Sequence, residues 1–264
     1  GTVTRFIGGA AFFSSFAAQA SGAELLVVTK LAQKDFGLLD GLHEQGIEVI
    51  ALPSSKTTSI ENVFESEDVD QRKVRLLSQA EPFRLEEIPD VRTEIFNLAG
   101  LFYGDIPPEM IESLSRQARV GLDLQCMLRT SHEGSFSWTD WPDKKKYLPH
   151  LTYLKADSLE SRVITGTEDR REAARILNQW GASEVLITHS KEVILYNGHT
   201  LYSAPFNPSN LSGRTGRGDT CFAAYMTWRL DHGSEEALHY AAALTSIKME
   251  KPGPFAGTID EVLQ

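Results

Sequence analysis

The sequence has few cysteines and no long apolar run, and each shortage excludes a class of protein. Its two cysteines, Cys126 and Cys221, lack the paired spacing that is typical of zinc sites or of a disulfide framework. The most apolar stretch, residues 7–20, is too short to cross a membrane and contains Ser14, Ser15 and Gln19. It also lacks the basic leader and cleavage context of a secretory signal. We therefore expect a cytoplasmic protein in a reducing compartment, with no membrane partner.

Basic residues are also fewer than acidic ones. The chain has 26 Lys and Arg against 36 Asp and Glu, a formal net charge of −10 at pH 7. Such an excess of negative charge disfavours general binding to nucleic acid. The seven histidines are scattered without the spacing of metal ligands, which favours structural roles for them. No internal repeat or low-complexity linker divides the 264 residues, so we expect a single domain over residues 1–264.

Apolar runs alternate with glycine and proline turns along most of the chain. The run 25–28 is apolar throughout, as in strands that are covered on both faces. The pattern predicts strands over 24–29, 47–52, 95–99, 120–124, 153–156, 184–188, 193–196 and 200–204. It predicts helices after Gly9 and over 36–45, 158–165, 169–180, 220–231 and 234–248. This β-α-β order indicates an α/β fold with a mostly parallel sheet.

Two stretches depart from this order. Residues 57–65 and 72–77 alternate apolar and polar side chains around an acidic turn at 66–70, which predicts an antiparallel hairpin. We interpret it as a lid inserted at about residues 52–80. Because exposed edge strands can pair between chains, the lid is also a possible homodimer contact. Residues 125–150 are predicted to form a long loop, and loops of that length often carry function.

The stretch Thr215-Gly216-Arg217-Gly218-Asp219 stands directly before a predicted helix. Glycines let a backbone approach a ligand closely, and the free amides of a helix's first turn favour an anion such as a phosphate. A carboxylate in the same turn, Asp219, can accept a proton from an attacking hydroxyl. The alternative is that Asp219 only caps the helix.

The order of three motifs resembles the ribokinase (PfkB) family of carbohydrate kinases over essentially the whole chain. The motifs are the Gly8-Gly9 turn, the acidic pair Asp157-x-x-Glu160 and the late glycine-rich stretch that ends at Asp219. The resemblance implies a ribokinase-like three-layer α/β/α sandwich, with a central mostly parallel sheet and a small β-sheet lid. It also implies ATP and Mg²⁺ as cofactors.

The same resemblance implies roles for residues at the phosphoryl-transfer end. Asp219 matches the catalytic base, and Asp157 and Glu160 match a magnesium-organising segment that acts through water. The anion hole matches Gly216, Arg217 and Gly218. The nucleotide site matches Thr188, Thr215, Lys251 and Gly253. The glycine that the family carries shortly after the position of Thr188 is replaced here by the segment 189–191.

The acceptor end departs further from the family pattern. The family's first strand carries a sugar-binding aspartate, and no such strand stands before Gly8-Gly9 in this sequence. Phe12, Phe13 and Ser14 occupy the region where an asparagine is usual. The residues expected to contact the acceptor are Gly8, Gly9, Phe13, Gln125 and Arg129.

The resulting hypothesis is an ATP-dependent kinase that phosphorylates a hydroxyl of a sugar or polyol. Phe13, the pair Thr57-Thr58 and the Asp-x-x-Glu motif resemble the branch that contains inositol and related polyol kinases. Two alternatives stay open: a nucleoside kinase, in which Phe12 or Phe13 stacks on a base, and a ligand sensor without phosphoryl transfer. A Rossmann dehydrogenase is disfavoured because no G-x-G-x-x-G follows the first strand.

Overall fold

Helices and strands alternate through the computed structural model, which describes residues 6–64 and 72–264. The α-helices are α1 (Ala10–Ala20), α2 (Asp40–Glu44), α3 (Glu109–Ser115), α4 (Gln125–Leu128), α5 (Lys144–Tyr147), α6 (Ser158–Thr165), α7 (Arg170–Gln179), α8 (Arg217–Trp228), α9 (Ser234–Met249) and α10 (Ile259–Leu263). Short 3₁₀ helices lie at Gln33–Leu39, Leu85–Glu87 and Leu148–His150. Among these described residues, no helix is long and apolar enough to span a bilayer.

The strands form three sheets. They are β1 (Leu26–Ala32), β2 (Glu48–Ser54), β3 (Ser59–Phe64), β4 (Arg72–Ser78), β5 (Ile95–Leu98), β6 (Arg119–Asp123), β7 (Arg129–His132), β8 (Ser135–Trp138), β9 (Tyr153–Asp157), β10 (Glu184–Thr188), β11 (Glu192–Tyr196) and β12 (Leu201–Pro205). The central sheet has six strands in the order β12-β11-β10-β9-β6-β5, of which β5, β6, β9 and β10 are parallel. Strands β1 and β2 pair in parallel as a separate two-stranded sheet.

Helices cover the central sheet on both faces, which confirms the predicted ribokinase-like α/β architecture. One apolar cluster joins α3, α6 and α7 to the sheet, and the other joins α1, α8 and α9 to it. Gly121 in β6 lets α8 approach closely, because a Cβ there would lie 3.2 Å from Cζ of Phe222 and overlap the side chain of Met226. This packing fixes the start of α8 over the carboxyl ends of β6 and β9.

A third, antiparallel sheet has the order β3-β4-β8-β7, and we call it the small sheet. The hairpin β3-β4 was predicted, and its acidic turn at 66–70 lies outside the described residues. The long loop predicted at 125–150 was wrong, because this stretch holds α4, the hairpin β7-β8 and α5. Glu133 and Gly134, with φ values of 50° and 80°, make the tight turn between β7 and β8. Dimerisation through the small sheet stays a prediction.

Hydroxyl groups fasten the small sheet to the strand pair β1-β2. The Oγ1 of Thr57 donates to Asp35 at 2.5 Å and accepts from the amide of Ala32 at 3.0 Å. The Oγ of Ser78 donates to the carbonyl oxygen of Thr57 at 2.6 Å. Thr57, noted in the sequence as part of a lid, therefore has a structural role at its base.

Candidate active site

The predicted base, Asp219, lies in the first turn of α8. Gly216 precedes the helix with a φ of 80°, a left-handed conformation that favours glycine. The carbonyl oxygen of Gly216 accepts from the amide of Thr220 at 2.9 Å, which closes the first turn. The Oγ of Ser14 in α1 donates to the carbonyl oxygen of Asp219 at 3.3 Å. The Gly-Gly turn and the late glycine motif, about 200 residues apart in sequence, thus meet at this point.

The loop 213–218 fits tightly against its surroundings at each of its glycines. A Cβ on Gly216 would overlap the ring of Phe13, and a Cβ on Gly213 would overlap the carbonyl group of Lys251. A Cβ on Gly218 would lie 3.0 Å from Cε of Lys155. We refer to residues 213–218 as the anion-hole loop. Close packing on three sides holds its amides in one arrangement, as the binding of an anion requires.

A buried group of charges lies beneath this loop. The Nζ of Lys155 in β9 is 3.0 Å from both carboxylate oxygens of Asp123, at the end of β6, and 3.6 Å from Oε2 of Glu160. Burial alone would lower the pKa of Lys155, but the carboxylates of Asp123, Glu160 and their neighbours outweigh it and raise that pKa. Lys155 is therefore a permanent cation at the carboxyl edge of the sheet.

The pKa of Asp219 is raised from its ordinary value. Burial is the main cause, and the negative charge of Asp123 adds to it. The positive charges of Lys155, Arg129 and Lys248 act in the opposite direction. A carboxylate with a raised pKa is a stronger proton acceptor, which suits a general base.

The acidic pair Asp157 and Glu160 forms a capping box at the start of α6. The amides of Leu159 and Glu160 both donate to Oδ1 of Asp157, and the amide of Asp157 donates to Oε2 of Glu160. The pair therefore caps the helix, and the magnesium site expected from the family pattern would have to use the same two side chains. The side chain of Glu160 is completely buried, and burial raises its pKa despite the opposing charge of Lys155.

The remaining oxygens of the pair fit a hydrated cation held with the help of donor phosphates. Oδ2 of Asp157 is left outside the cap, and Oε1 of Glu160 has no hydrogen-bond partner among the described residues. No cluster of three or more His, Cys, Asp or Glu suited to a metal occurs in the part of the chain described. Because Mg²⁺ keeps several waters and is usually held by one or two carboxylates and substrate phosphates, this pair is sufficient for it.

The residues predicted to hold the nucleotide come from three segments, namely the end of β10, the anion-hole loop and the stretch after α9. Thr188 ends β10 opposite Asp157 in the parallel register, and it is buried. Thr215 lies in the loop itself, and its carbonyl oxygen accepts from Nζ of Lys248. Lys251, which is exposed, and Gly253, whose φ is 94°, follow the end of α9.

Several basic side chains lie in or near the segment 189–191, which follows Thr188 and replaces the glycine expected from the family pattern. Burial lowers the pKa of His189, and the nearby cations Arg170, Arg217 and Lys191 lower it further, whereas Glu192 acts to raise it. Arg170 also pairs with Glu192 at 2.7 Å. We call Arg170, His189, Lys191 and Arg217 the basic cluster, a grouping that was not predicted because the four residues belong to three separate segments of the chain.

The predicted acceptor residues do not all line one surface. Gly9, with a φ of 87°, turns the chain into α1, directly after Gly8. Phe13 is almost fully buried under Gly216, so it supports the anion-hole loop. The main-chain amide of Gln125 donates to Oδ1 of Asp123 at 3.1 Å. Arg129 lies over the rings of Phe136 and Trp138, 5.4 and 5.1 Å from their centroids, and its charge acts on Asp219.

Three charged residues of the site were not assigned a role from the sequence: Asp123, Lys155 and Lys248. Asp123 ends a parallel strand, a position where ligand-binding side chains collect, and that signal was available. Lys155 stands in the same motif as Asp157 and Glu160. Lys248 begins the stretch that resembles the family's nucleotide-site wall, but its contact with the loop has no local signal, since only the fold brings the end of α9 there.

Comparison with known proteins shows the family and the fold to which the chain is similar. The pfkB family carbohydrate kinases match residues 1–260. A pyrophosphate-dependent kinase of the ribokinase family, solved with sulfate, superposes with a TM-score of 0.91 at 35% identity, covering 98% of this chain and 92% of that one. A structure of such a kinase with a pyrophosphate analogue and myo-inositol gives a TM-score of 0.89 at 35% identity, covering 97% and 90%. The cytidine kinase of Thermococcus kodakarensis is 28% identical over 232 residues, which is 83% of this chain and 78% of that protein.

The chain belongs to the pfkB family of carbohydrate kinases. It is accordingly a phosphotransferase with a hydroxyl group as acceptor, on the ribokinase fold. The proteins to which it is similar include a kinase with bound myo-inositol and a cytidine kinase.

Proposed function

We propose that this kinase transfers a phosphoryl group to a hydroxyl of myo-inositol or a related polyol, with Asp219 as the catalytic base. The observation that carries the proposal is the position of Asp219. Its carboxylate lies in the first turn of α8, directly after the glycine amides and next to Asp123 and Lys155. A single place therefore offers amides for a phosphoryl group and a base for the attacking hydroxyl.

In the proposed reaction each part of the site has one task. Asp219 accepts the proton of the acceptor hydroxyl as that oxygen attacks the phosphorus in line with the leaving group. The amides of Gly216, Arg217 and Gly218 stabilise the negative charge on the transferring phosphoryl oxygens. Asp157 would hold Mg²⁺, with Glu160 orienting Asp157 through the capping box, and the cation would neutralise charge on the donor phosphates.

Pyrophosphate is the donor that the basic cluster favours. Arg170, Lys191 and Arg217 lie around His189, at the place where the sequence lacks the glycine expected beside a nucleotide. Guanidinium groups bind phosphate oxygens in two-point contacts, so a cluster of this kind suits a compact polyanion. The relatives at 35% identity are pyrophosphate-dependent. ATP, the donor that the family pattern implies, is the alternative.

A polyol acceptor is favoured over a nucleoside by the position of Phe13. A base-stacking ring has to present a face to the site, whereas Phe13 is buried against Gly216 and Lys248. The charge of Arg129 acts on Asp219, and a guanidinium group in that place suits the hydroxyl groups of a polyol. The relative with bound myo-inositol supports the same assignment.

A matrix of donors and acceptors tests the proposal. Pyrophosphate and ATP are each combined with myo-inositol, ribose, cytidine and inosine, and phosphorylated product is measured by mass spectrometry. We expect the largest kcat/KM for pyrophosphate with myo-inositol. Turnover of a nucleoside with ATP in preference to every polyol would contradict the acceptor assignment, and binding without any product would favour the ligand sensor.

A further inference from the structure

A buried ammonium group next to the anion-hole loop has no part in the reaction proposed above. Lys248 lies in the last turn of α9 and exposes only 2% of its surface. Its Nζ donates hydrogen bonds to the main-chain carbonyl oxygens of Gly213 and Thr215. Both carbonyl groups belong to the loop that leads to Asp219. The ammonium group of α9, which lies outside the glycine motif, thus holds the loop.

The surroundings of this ammonium group are those of a bound monovalent cation. Its Nζ lies 4.9 Å from the centroid of the Phe13 ring, within the range of a cation–π interaction. It also lies at the carboxyl end of a 16-residue helix, where the helix dipole is negative. Carbonyl oxygens replace the hydration shell of K⁺ in the same way in protein cation sites.

The loop and the helix end are joined by further main-chain contacts. The amide of Gly213 donates to the carbonyl oxygen of Met249 at 2.8 Å. A Cβ on Gly213 would lie 3.0 Å from the carbonyl oxygen of Lys248 and overlap that of Lys251. Carbonyl oxygens from both segments therefore crowd together, and such dipoles repel one another unless a cation lies between them.

The charge state of Lys248 is compatible with this role at neutral pH. Burial lowers its pKa to about 8, while the carboxylate of Asp219 acts to raise it. Most of the molecules therefore carry the ammonium form at pH 7. Asp219 acts on Lys248 through its charge, while the hydrogen bonds of the ammonium group go to the carbonyl oxygens of Gly213 and Thr215.

We propose that the ammonium group of Lys248 serves as a built-in monovalent cation, which binds the carbonyl oxygens of Gly213 and Thr215 and thereby positions the anion-hole loop. Lys248 is a positioning residue, because it acts on the reaction through the loop. Removing the side chain leaves a vacancy lined by carbonyl oxygens that K⁺ or NH₄⁺ fills. The effect on turnover rests on the proposed function, whereas the cation site is a property of the fold alone.

Thermal unfolding with different salts tests the site without any assay of activity. The Lys248→Ala and Lys248→Met variants are compared in KCl, NH₄Cl and choline chloride at equal ionic strength. The wild type and Lys145→Ala, which alters an exposed lysine on α5, are the controls. We expect K⁺ and NH₄⁺ to raise the Tm of Lys248→Ala by about 2–4 °C. In a domain of this size, that shift corresponds to a gain of about 1 kcal/mol in the free energy of unfolding. The Met side chain fills the vacancy, so Lys248→Met is expected to show no such increase.

Turnover gives the second readout. We expect the kcat of Lys248→Ala to be about 10²-fold lower than that of the wild type, because an enzyme with a displaced oxyanion donor loses that much. In K⁺ or NH₄⁺ its kcat should rise again by at least tenfold. A wild-type enzyme whose Tm and kcat need K⁺ would overturn the proposal, and so would a folded Lys248→Ala that no cation stabilises. Should the wild type phosphorylate none of the acceptors, the Tm comparison still decides the cation site, so the two proposals fail separately.

Discussion

The two ends of the site are built in different ways. The phosphoryl-transfer end consists of main-chain amides, a helix start and buried charges, packed so closely that the anion-hole loop admits no Cβ at Gly213 or Gly216. The proposed acceptor end consists of side chains from separate segments, such as Arg129 on the edge strand of the small sheet. The first end is therefore defined by closely packed main chain, whereas the second depends on individual side chains.

The contrast leads us to expect the chemistry of the enzyme at the first end and its substrate specificity at the second. Substitutions at the transfer end should lower kcat, because they act on the transition state. Substitutions at the acceptor end should raise the KM for one acceptor. The following predictions test that division.

Replacement of the base should have the largest effect. We expect Asp219→Asn to lower kcat by about 10²–10⁴-fold, the usual contribution of a positioned acid–base group, with little change in donor affinity. Asp231→Asn, an exposed aspartate shortly after the end of α8, is the matched control and should retain normal kinetics. Near-normal turnover of Asp219→Asn would show that the carboxylate is only a helix cap.

The same variant should be more stable than the wild type at neutral pH. Because the pKa of Asp219 is higher in the folded protein than its ordinary value of 3.8, ionisation of this group disfavours the folded state. The penalty is absent below the ordinary pKa and grows as the pH rises toward the folded pKa. The Tm of Asp219→Asn minus that of the wild type should therefore increase from about pH 4 toward neutrality. A constant difference would indicate that the pKa is not raised.

A Cβ at the anion-hole loop should have the next largest effect. Gly216→Ala has to displace the Phe13 ring and adopt a φ of 80°, so the amides move away from the phosphoryl group. We expect kcat to fall by about 10²–10³-fold, as when an oxyanion donor is lost. Gly233→Ala is the control, since a Cβ there meets nothing within 4 Å and its φ is −66°. Equal kcat values for the two variants would argue against an anion hole at this loop.

The acceptor end should respond mainly in KM. We expect Arg129→Gln to raise the KM for myo-inositol about tenfold, because the substrate loses one hydrogen bond to a charged group. The KM for the donor should change less. Steady-state kinetics with each substrate varied in turn measures both values. An increase confined to the donor KM would place Arg129 at the other end of the site.

The smallest effect is expected at the base of the small sheet. Thr57→Val removes the hydroxyl that joins Asp35 to the amide of Ala32, so we expect a loss of about 1–3 kcal/mol in the free energy of unfolding. Thr200→Val, at an exposed position, is the control for the same substitution. Urea unfolding compares the two. A tenfold change in kcat from Thr57→Val alone would mean that the base of the small sheet takes part in catalysis.

The transfer end was predictable from the sequence because its signals are local. Gly216, Gly218 and Asp219 lie within four residues, and Asp157 and Glu160 lie within one helical turn. The positions of the central strands along the chain followed from apolar runs and turns for the same reason, whereas their order in the sheet was not predicted.

Long-range partners gave no comparable signal. Lys155 meets Asp123 across 32 residues and Lys248 meets Gly213 across 35, distances that only the packed fold closes. The hairpin β7-β8 was missed because its four-residue strands carry mostly polar side chains, although the turn Glu133-Gly134 was a usable signal. The role of Phe13 was assigned to the substrate because its burial under Gly216 depends on the approach of α1 to α8.

The pH dependence of kcat/KM tests most directly the claim that Asp219 is the base of a phosphoryl transfer. In the wild type we predict that activity falls on the acid side with a pKa well above the ordinary value for aspartate. In Asp219→Asn, the low residual activity should lose this acid limb, while any limb due to titration of the donor persists in both proteins. An identical acid limb in the two proteins would contradict the assignment.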